Sequence, residues 1–180
     1  EGPENCEKLA EEWIKRTGKS KGIRKSLIHV WALANPTQAE AYLKDLALRH
    51  FQNPDLEEAP DTIAWNRVIS AYAIRHNQPR KAADLLEEFW DFSTKLRETN
   101  ADETTIIPDL FSYNSVLEGW ARQENATEAN KTFLRLQTAA STSPNIISYT
   151  SAIKANSQDF AEVEKLAEEC LQTYDEQEAD

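Results

Sequence analysis

The sequence predicts an all-α protein, a solenoid of stacked helix–turn–helix repeats. Three observations predict it: one apolar pattern recurs four times along 180 residues, a second follows each copy after a short polar break, and only four Gly and seven Pro interrupt the chain. Few Gly and Pro suit long helices and leave little room for a glycine-rich nucleotide loop. Repeats of this size carry an apolar seam that only a neighbouring repeat can cover, which is the physical basis of a stacked array.

The first pattern marks the opening helix of each pair. It reads Ser26-Leu-Ile-His-Val-Trp-Ala32, Arg67-Val-Ile-Ser-Ala-Tyr-Ala73, Ser115-Val-Leu-Glu-Gly-Trp-Ala121 and, more loosely, Ser151-Ala-Ile-Lys-Ala-Asn-Ser157. Each copy has an apolar residue at the third place and most have a small one at the fifth, so a narrow apolar stripe runs down one helix face. The second pattern is a small residue followed by bulky ones at helical offsets. Its copies are Ala39, Tyr42, Leu43 and Leu46; Ala82, Leu85, Leu86 and Phe89; Ala129, Phe133 and Leu136; and Val163, Leu166, Ala167 and Cys170. The opening stretch supplies a fifth, Cys6, Leu9, Ala10 and Trp13, with no first helix before it. Pro36 and Pro79 fall near the starts of two second helices, where a missing N–H costs little.

The bulky residues that close these copies lie 33, 43, 47 and 34 residues apart, so two repeats have a mid-thirties length and two carry extra residues. The longest extra piece, about Ser93 to Ile107, contains Glu98, Thr99, Asn100, Asp102 and Glu103 and is expected to be a polar surface excursion. The predicted organisation is a single helical-repeat domain over 1–180. It divides into 1–20, a second helix of a preceding repeat; 21–61, a degenerate repeat; 62–109, a repeat with a long insertion; and repeats at 110–145 and 146–180. No Met occurs in the chain, so it is expected to be a fragment of a longer array.

Composition bounds the function. The hydrophobic fraction of 40% with 28% charged residues is that of a folded chain, and no apolar run reaches the length of a membrane span. The net charge of −11 argues against loose, whole-surface binding to nucleic acid or anionic membrane, though not against a local basic groove. Cys6 and Cys170 make no disulfide framework and are expected as reduced thiols.

Three stretches carry a resemblance to a known family. They are Asp61-Thr-Ile-Ala-Trp-Asn66-Arg-Val-Ile, Pro108-Asp109-Leu-Phe-Ser-Tyr-Asn114-Ser-Val-Leu and Pro144-Asn145-Ile-Ile-Ser-Tyr-Thr150-Ser-Ala-Ile. With these the chain resembles a pentatricopeptide repeat protein, most sharply over residues 60–155. The first helices lack the Trp-x-x-Leu-Gly pattern of tetratricopeptide repeats. The resemblance implies a right-handed α-solenoid that binds single-stranded RNA at about one base per repeat, read by two or three side chains. It further implies a mitochondrial or plastid location and a role in transcript stability, processing or translation.

Carried over onto this chain, the base-reading residues implied are Asn66, Asn114 and Thr150, with Asp109 and Asn145 as repeat-end partners of the two asparagines. Ile63, Phe111 and Ile147, three places before each reader, are implied to sandwich the bases. Asn with Asp resembles a uridine reader, Asn with Asn a cytidine or pyrimidine reader, and Thr150 a purine reader whose partner falls near Asp180. The implied order is 5′-U-C-(G/A)-3′. In the degenerate repeat the reading place falls on Lys25, which fits no pairing.

Phosphate contacts are sparser. The family's late first-helix Lys is matched only by Arg122, while Ile74 and Gln158 occupy the other places, with Arg75 adjacent to one. Residues 1–50 hold nine basic and seven acidic side chains and residues 51–180 eleven and twenty-four. The basic cluster with Lys21, Arg24 and Lys25 is therefore the main remaining phosphate contact, and Glu87, Glu88, Glu168 and Glu169 are expected on the outer face of second helices. Enzyme signatures fail: Gly18-Lys-Ser20 lacks the earlier phosphate-loop glycine, and the three His have no carboxylate or Cys at ligand spacing. No cofactor, metal or small-molecule substrate is expected. The alternative function is a protein-interaction scaffold in which the same face accepts a peptide or partner helix.

Overall fold

The computed structural model describes residues 2–18, 22–54, 58–99, 106–139 and 142–178, with side chains as far as residue 173. Within them lie α1 (Pro3–Thr17), α2 (Ile23–Ala34), α3 (Pro36–Gln52), α4 (Thr62–Ser70) running on into a π turn (Ala71–Arg75), α5 (Pro79–Thr99), α6 (Leu110–Arg122), α7 (Ala126–Thr138), α8 (Ile146–Ala155) and α9 (Phe160–Glu178). The pairing is the one the sequence patterns predict. Helix α1 precedes four hairpins, α2–α3, α4–α5, α6–α7 and α8–α9, and Pro36 and Pro79 open α3 and α5.

First helices pack directly on one another in the order α2, α4, α6, α8. The second helices form the other layer and reach across to each other through long side chains: Lys44 on α3 meets Glu88 on α5 at 2.7 Å, Arg135 on α7 meets Glu87 on α5, and Gln137 on α7 donates to Glu169 on α9 at 3.3 Å. One face of the array is therefore tight and the opposite face is spread. The acidic pairs expected on second helices lie on the spread face, where part of their charge meets these cations.

The two apolar patterns form one continuous core. Ile28, Val68, Ile69, Val116 and Leu117 from first helices are fully buried against Leu43, Leu85, Phe89 and Leu136 from second helices. The aromatic residue before each reading place points inward: Trp65 stacks on Phe89 at 4.8 Å, Tyr113 accepts from Trp90 Nε1 at 2.8 Å, and Tyr149 meets Phe133 edge-on at 5.0 Å. The next residue is turned about a quarter-circle away, toward the tight face. An aromatic-then-Asn dipeptide thus serves two surfaces at once.

One expectation is corrected. The piece from Ser93 was expected as a surface excursion, yet α5 continues to Thr99 and buries Ser93 and Leu96; residues 100–105 lie outside those described. Leu96 falls on the stripe of Leu85, Phe89 and Phe92, so helical period outweighs the polar residues around it. The seam on α1, which the sequence pattern leaves without a first helix before it, is open: Leu9 is 59% and Trp13 42% exposed.

Candidate nucleic-acid interface

Every implied reading residue lies on the first-helix layer. Asp109 is the N-cap of α6, its Oδ1 accepting from Ser112 N at 3.0 Å, and Ser112 Oγ returns the bond by accepting from Asp109 N at 3.1 Å. Asn145 caps α8 through the same box with Ser148. Such reciprocal boxes satisfy two otherwise orphaned donors and hold the cap side chain in one orientation.

Onto each cap the preceding repeat adds its asparagine. Asn66 Nδ2 donates to Asp109 Oδ1 at 2.9 Å, and Ser112 Oγ donates to Asn66 Oδ1 at 2.5 Å. One repeat further on, Asn114 Nδ2 donates to Asn145 Oδ1 at 3.2 Å and Ser148 Oγ donates to Asn114 Oδ1 at 2.7 Å. Each amide oxygen is thus occupied while one Nδ2–H is left over, and among the described residues no hydrogen bond engages Asp109 Oδ2. What faces outward from the first pair is a donor beside a carboxylate oxygen; from the second, amide donors alone.

The same register continues back into the degenerate repeat. Lys25 Nζ lies 3.3 Å from Asp61, the N-cap of α4, and 3.3 Å from Glu58. Lys25, expected as a phosphate contact, therefore stands in the place of a reading residue with its charge already met. Thr150 is exposed and its hydroxyl turns back to Ile146 O at 2.6 Å; its implied partner near Asp180 lies outside the described residues, as does Lys21. Arg122 donates to Glu118 at 2.9 Å and to the Ile74 carbonyl at 2.9 Å, which commits two of its nitrogens to the protein. Arg24 is half-buried near the start of α2.

Ile63, Phe111 and Ile147 are 60%, 55% and 55% exposed at one register of three successive helices. Between Ile63 and Phe111 opens a groove of about 430 Å³ with Asn66 and Asp109 in its lining, and on the other side of Ile63 a second of about 380 Å³ lined by Lys25 and Asp61. The grooves share His29 and Arg67, and Arg75 lines the larger one.

This stacked pair-of-helices geometry is matched in a solved structure. The fold is that of a pentatricopeptide repeat array. The crystal structure of the pentatricopeptide repeat protein PPR10 from maize superposes with a TM-score of 0.66 at 21% identity, over 92% of this chain and 22% of that one. The chain thus spans about a fifth of the length of that pentatricopeptide protein. No family model and no curated protein matches the sequence.

Sequence reasoning missed Ser112 and Ser148, which orient the reading amides, and His29 and Arg67, which line the grooves. The serines were legible in principle, as both stand three places after a cap. His29 and Arg67 were not, since they come together only where α2 packs on α4. No helix among the described residues is long and apolar enough to cross a membrane, and no cluster of three or more His, Cys, Asp or Glu that could hold a metal occurs among them.

Proposed function

We propose that this chain binds single-stranded RNA along its first-helix face, about one base per repeat, with Ile63, Phe111 and Ile147 as the walls between bases. One observation carries the reading: the Asn66–Asp109 pair lies in the lining of a groove walled by two exposed apolar side chains, and the Asn114–Asn145 pair repeats its bonding one repeat further on. An apolar wall on each side covers the faces of a base, and burial between such walls is worth about 1–3 kcal/mol per base.

The chemistry of the pairs supports the order U then C. Uracil presents an N–H at its N3 position flanked by carbonyl oxygens, so a carboxylate oxygen at Asp109 accepts it while Asn66 donates to a carbonyl. Cytosine presents a bare N3 and a carbonyl, which suit the amide donors of Asn114 and Asn145. The setting consistent with the family resemblance is mitochondrial or plastid RNA metabolism, in stability, processing or translation.

D109N tests the reading. Asn caps a helix about as well as Asp, so the fold is retained while the first pair becomes a copy of the second. Fluorescence anisotropy with single-stranded RNAs differing only at the base facing Asn66 is expected to show uridine preferred by the unaltered chain and cytidine by D109N. Binding indifferent to that base in both proteins would overturn base reading. Failure to bind any RNA at low salt, with capture of a peptide on the same face, would establish the scaffold alternative.

A further inference from the structure

The degenerate repeat has lost a reading pair, yet its face is not featureless. Lys25 is held by Glu58 and Asp61 and is out of use as a free cation. His29, one helical turn along α2, and Arg67, on the exposed side of α4, line both grooves that flank Ile63. Arg75 joins them from the π turn.

That π turn decides where Arg75 stands. His76 N–H reaches back five residues to Ala71 O at 3.1 Å, so the turn holds one residue more than an α-helical turn. Arg75 lies nine places after Asn66, whereas Arg122 lies eight after Asn114 on a helix without such a turn. The extra residue rotates Arg75 onto the groove line that Ile74 would otherwise occupy, and Ile74 packs against the core instead. Among the described residues no carboxylate lies within 4 Å of Arg67 or Arg75. Of the acids that line the grooves, Asp61 is paired with Lys25, while Asp109 stands beside Asn66 and keeps its Oδ2 for the base.

We propose that His29, Arg67 and Arg75 form a phosphate-binding seam between the degenerate repeat and the next, anchoring the RNA backbone beside the base held at Asn66. The junction between these two repeats then supplies backbone affinity where the degenerate repeat supplies no base selection. The assignment rests on the RNA-binding reading above and adds to it the residues that hold the chain. It also locates a basic strip in a molecule of net charge −11, where long-range attraction to RNA is lacking and contact cations must act locally.

The test is the salt dependence of binding to a short labelled single-stranded RNA carrying U-C, for the unaltered chain, R67Q/R75Q and R67K/R75K. Each phosphate neutralised on a single strand contributes about 0.7 to the slope of log affinity against log salt. R67Q/R75Q is expected to flatten that slope by about 0.7 to 1.4, to keep the preference at Asn66, and to retain its circular dichroism. R67K/R75K is expected to restore the slope, since a phosphate contact needs charge more than shape. A slope unchanged in R67Q/R75Q, while the unaltered chain still selects its base, overturns the seam and leaves base reading standing. No RNA binding by the unaltered chain removes both.

Discussion

At the scale of single residues, the asparagines proposed to read bases are structural links. Asn66 is only 8% exposed and closes a four-membered network of its own amide, Asp109, Ser112 and the start of α6. Its orientation is therefore inherited from a helix cap rather than from a free rotamer, so under the proposed reading the amide meets a base at little entropic cost. His29 is the one titratable member of the proposed seam. Desolvation by burial, then the charges of Arg67 and Arg75, hold its imidazole below the usual 6.5. The neutral form is favoured in the free chain, so His29's stabilising contribution is present above pH 6.5 and is lost as pH falls through that value toward the folded one. A bound phosphate acts in the opposite sense, favouring the charged form. The groups facing His29 are Lys25 on its own helix, Asp61 and Arg67 from α4, Arg75 from the π turn and Asp109 from the cap of α6. RNA affinity is expected to rise as pH drops from about 7.5 to about 5.5, and H29Q to flatten that rise in anisotropy titrations.

At the scale of elements, small residues set how closely first helices approach. A Cβ on Gly119 would lie 2.9 Å from Pro79 Cβ and 3.1 Å from Ala73 Cβ, so α6 rests on the π turn and the start of α5 with no room for a methyl. The equivalent places hold Ala71 and Ala155, which explains the small fifth residue of the repeated pattern. G119A gains up to about 1 kcal/mol of helix propensity but overpacks against backbone and proline, at a cost of about 1–3 kcal/mol. The net expectation is a lower Tm, by about 2–4 °C for each kcal/mol lost, read by thermal denaturation. An unchanged or raised Tm would show that the α6 contact gives way freely. The π turn belongs to this scale as well: Arg122 and Gln123 at the end of α6 bond back to Ile74 O and Asn77 O, fastening the widened turn in place.

At the scale of the whole molecule, contacts run between neighbours only, so stability is distributed along the array and its ends are weakest. Helix α1 has no buried residue, and Leu9 and Trp13 stand open, whereas α4 and α6 bury most of their length. Hydrogen exchange is expected to strip protection from α1 first and from α4 and α6 last. Uniform protection across all three would show a single cooperative unit instead. The ion pairs across the spread face, Lys44 with Glu88 and Arg135 with Glu87, are half-exposed and contribute about 0–1 kcal/mol each, so they order the acidic face more than they stabilise it.

Most of the architecture was legible in the chain because it depends on local periodicity. Offsets of three, four and seven residues, prolines at helix starts and Asp or Asn at caps are written in short windows, and each of these elements appears where its signal stands. What failed in the sequence reading failed where period and polarity disagreed, as at Leu96. The residues proposed to read bases are bonded in pairs, Asn66 with Asp109 and Asn114 with Asn145, across 43 and 31 residues of chain, which no local pattern specifies. Only tertiary packing brought Lys25 to Asp61 and Arg122 to the Ile74 carbonyl, and only the stacking of α4 and its π turn on α2 brought Arg67 and Arg75 into one groove with His29. The reason is physical: helix identity follows from nearest-neighbour geometry along the chain, while the charge and shape of a groove follow from which faces meet when repeats stack.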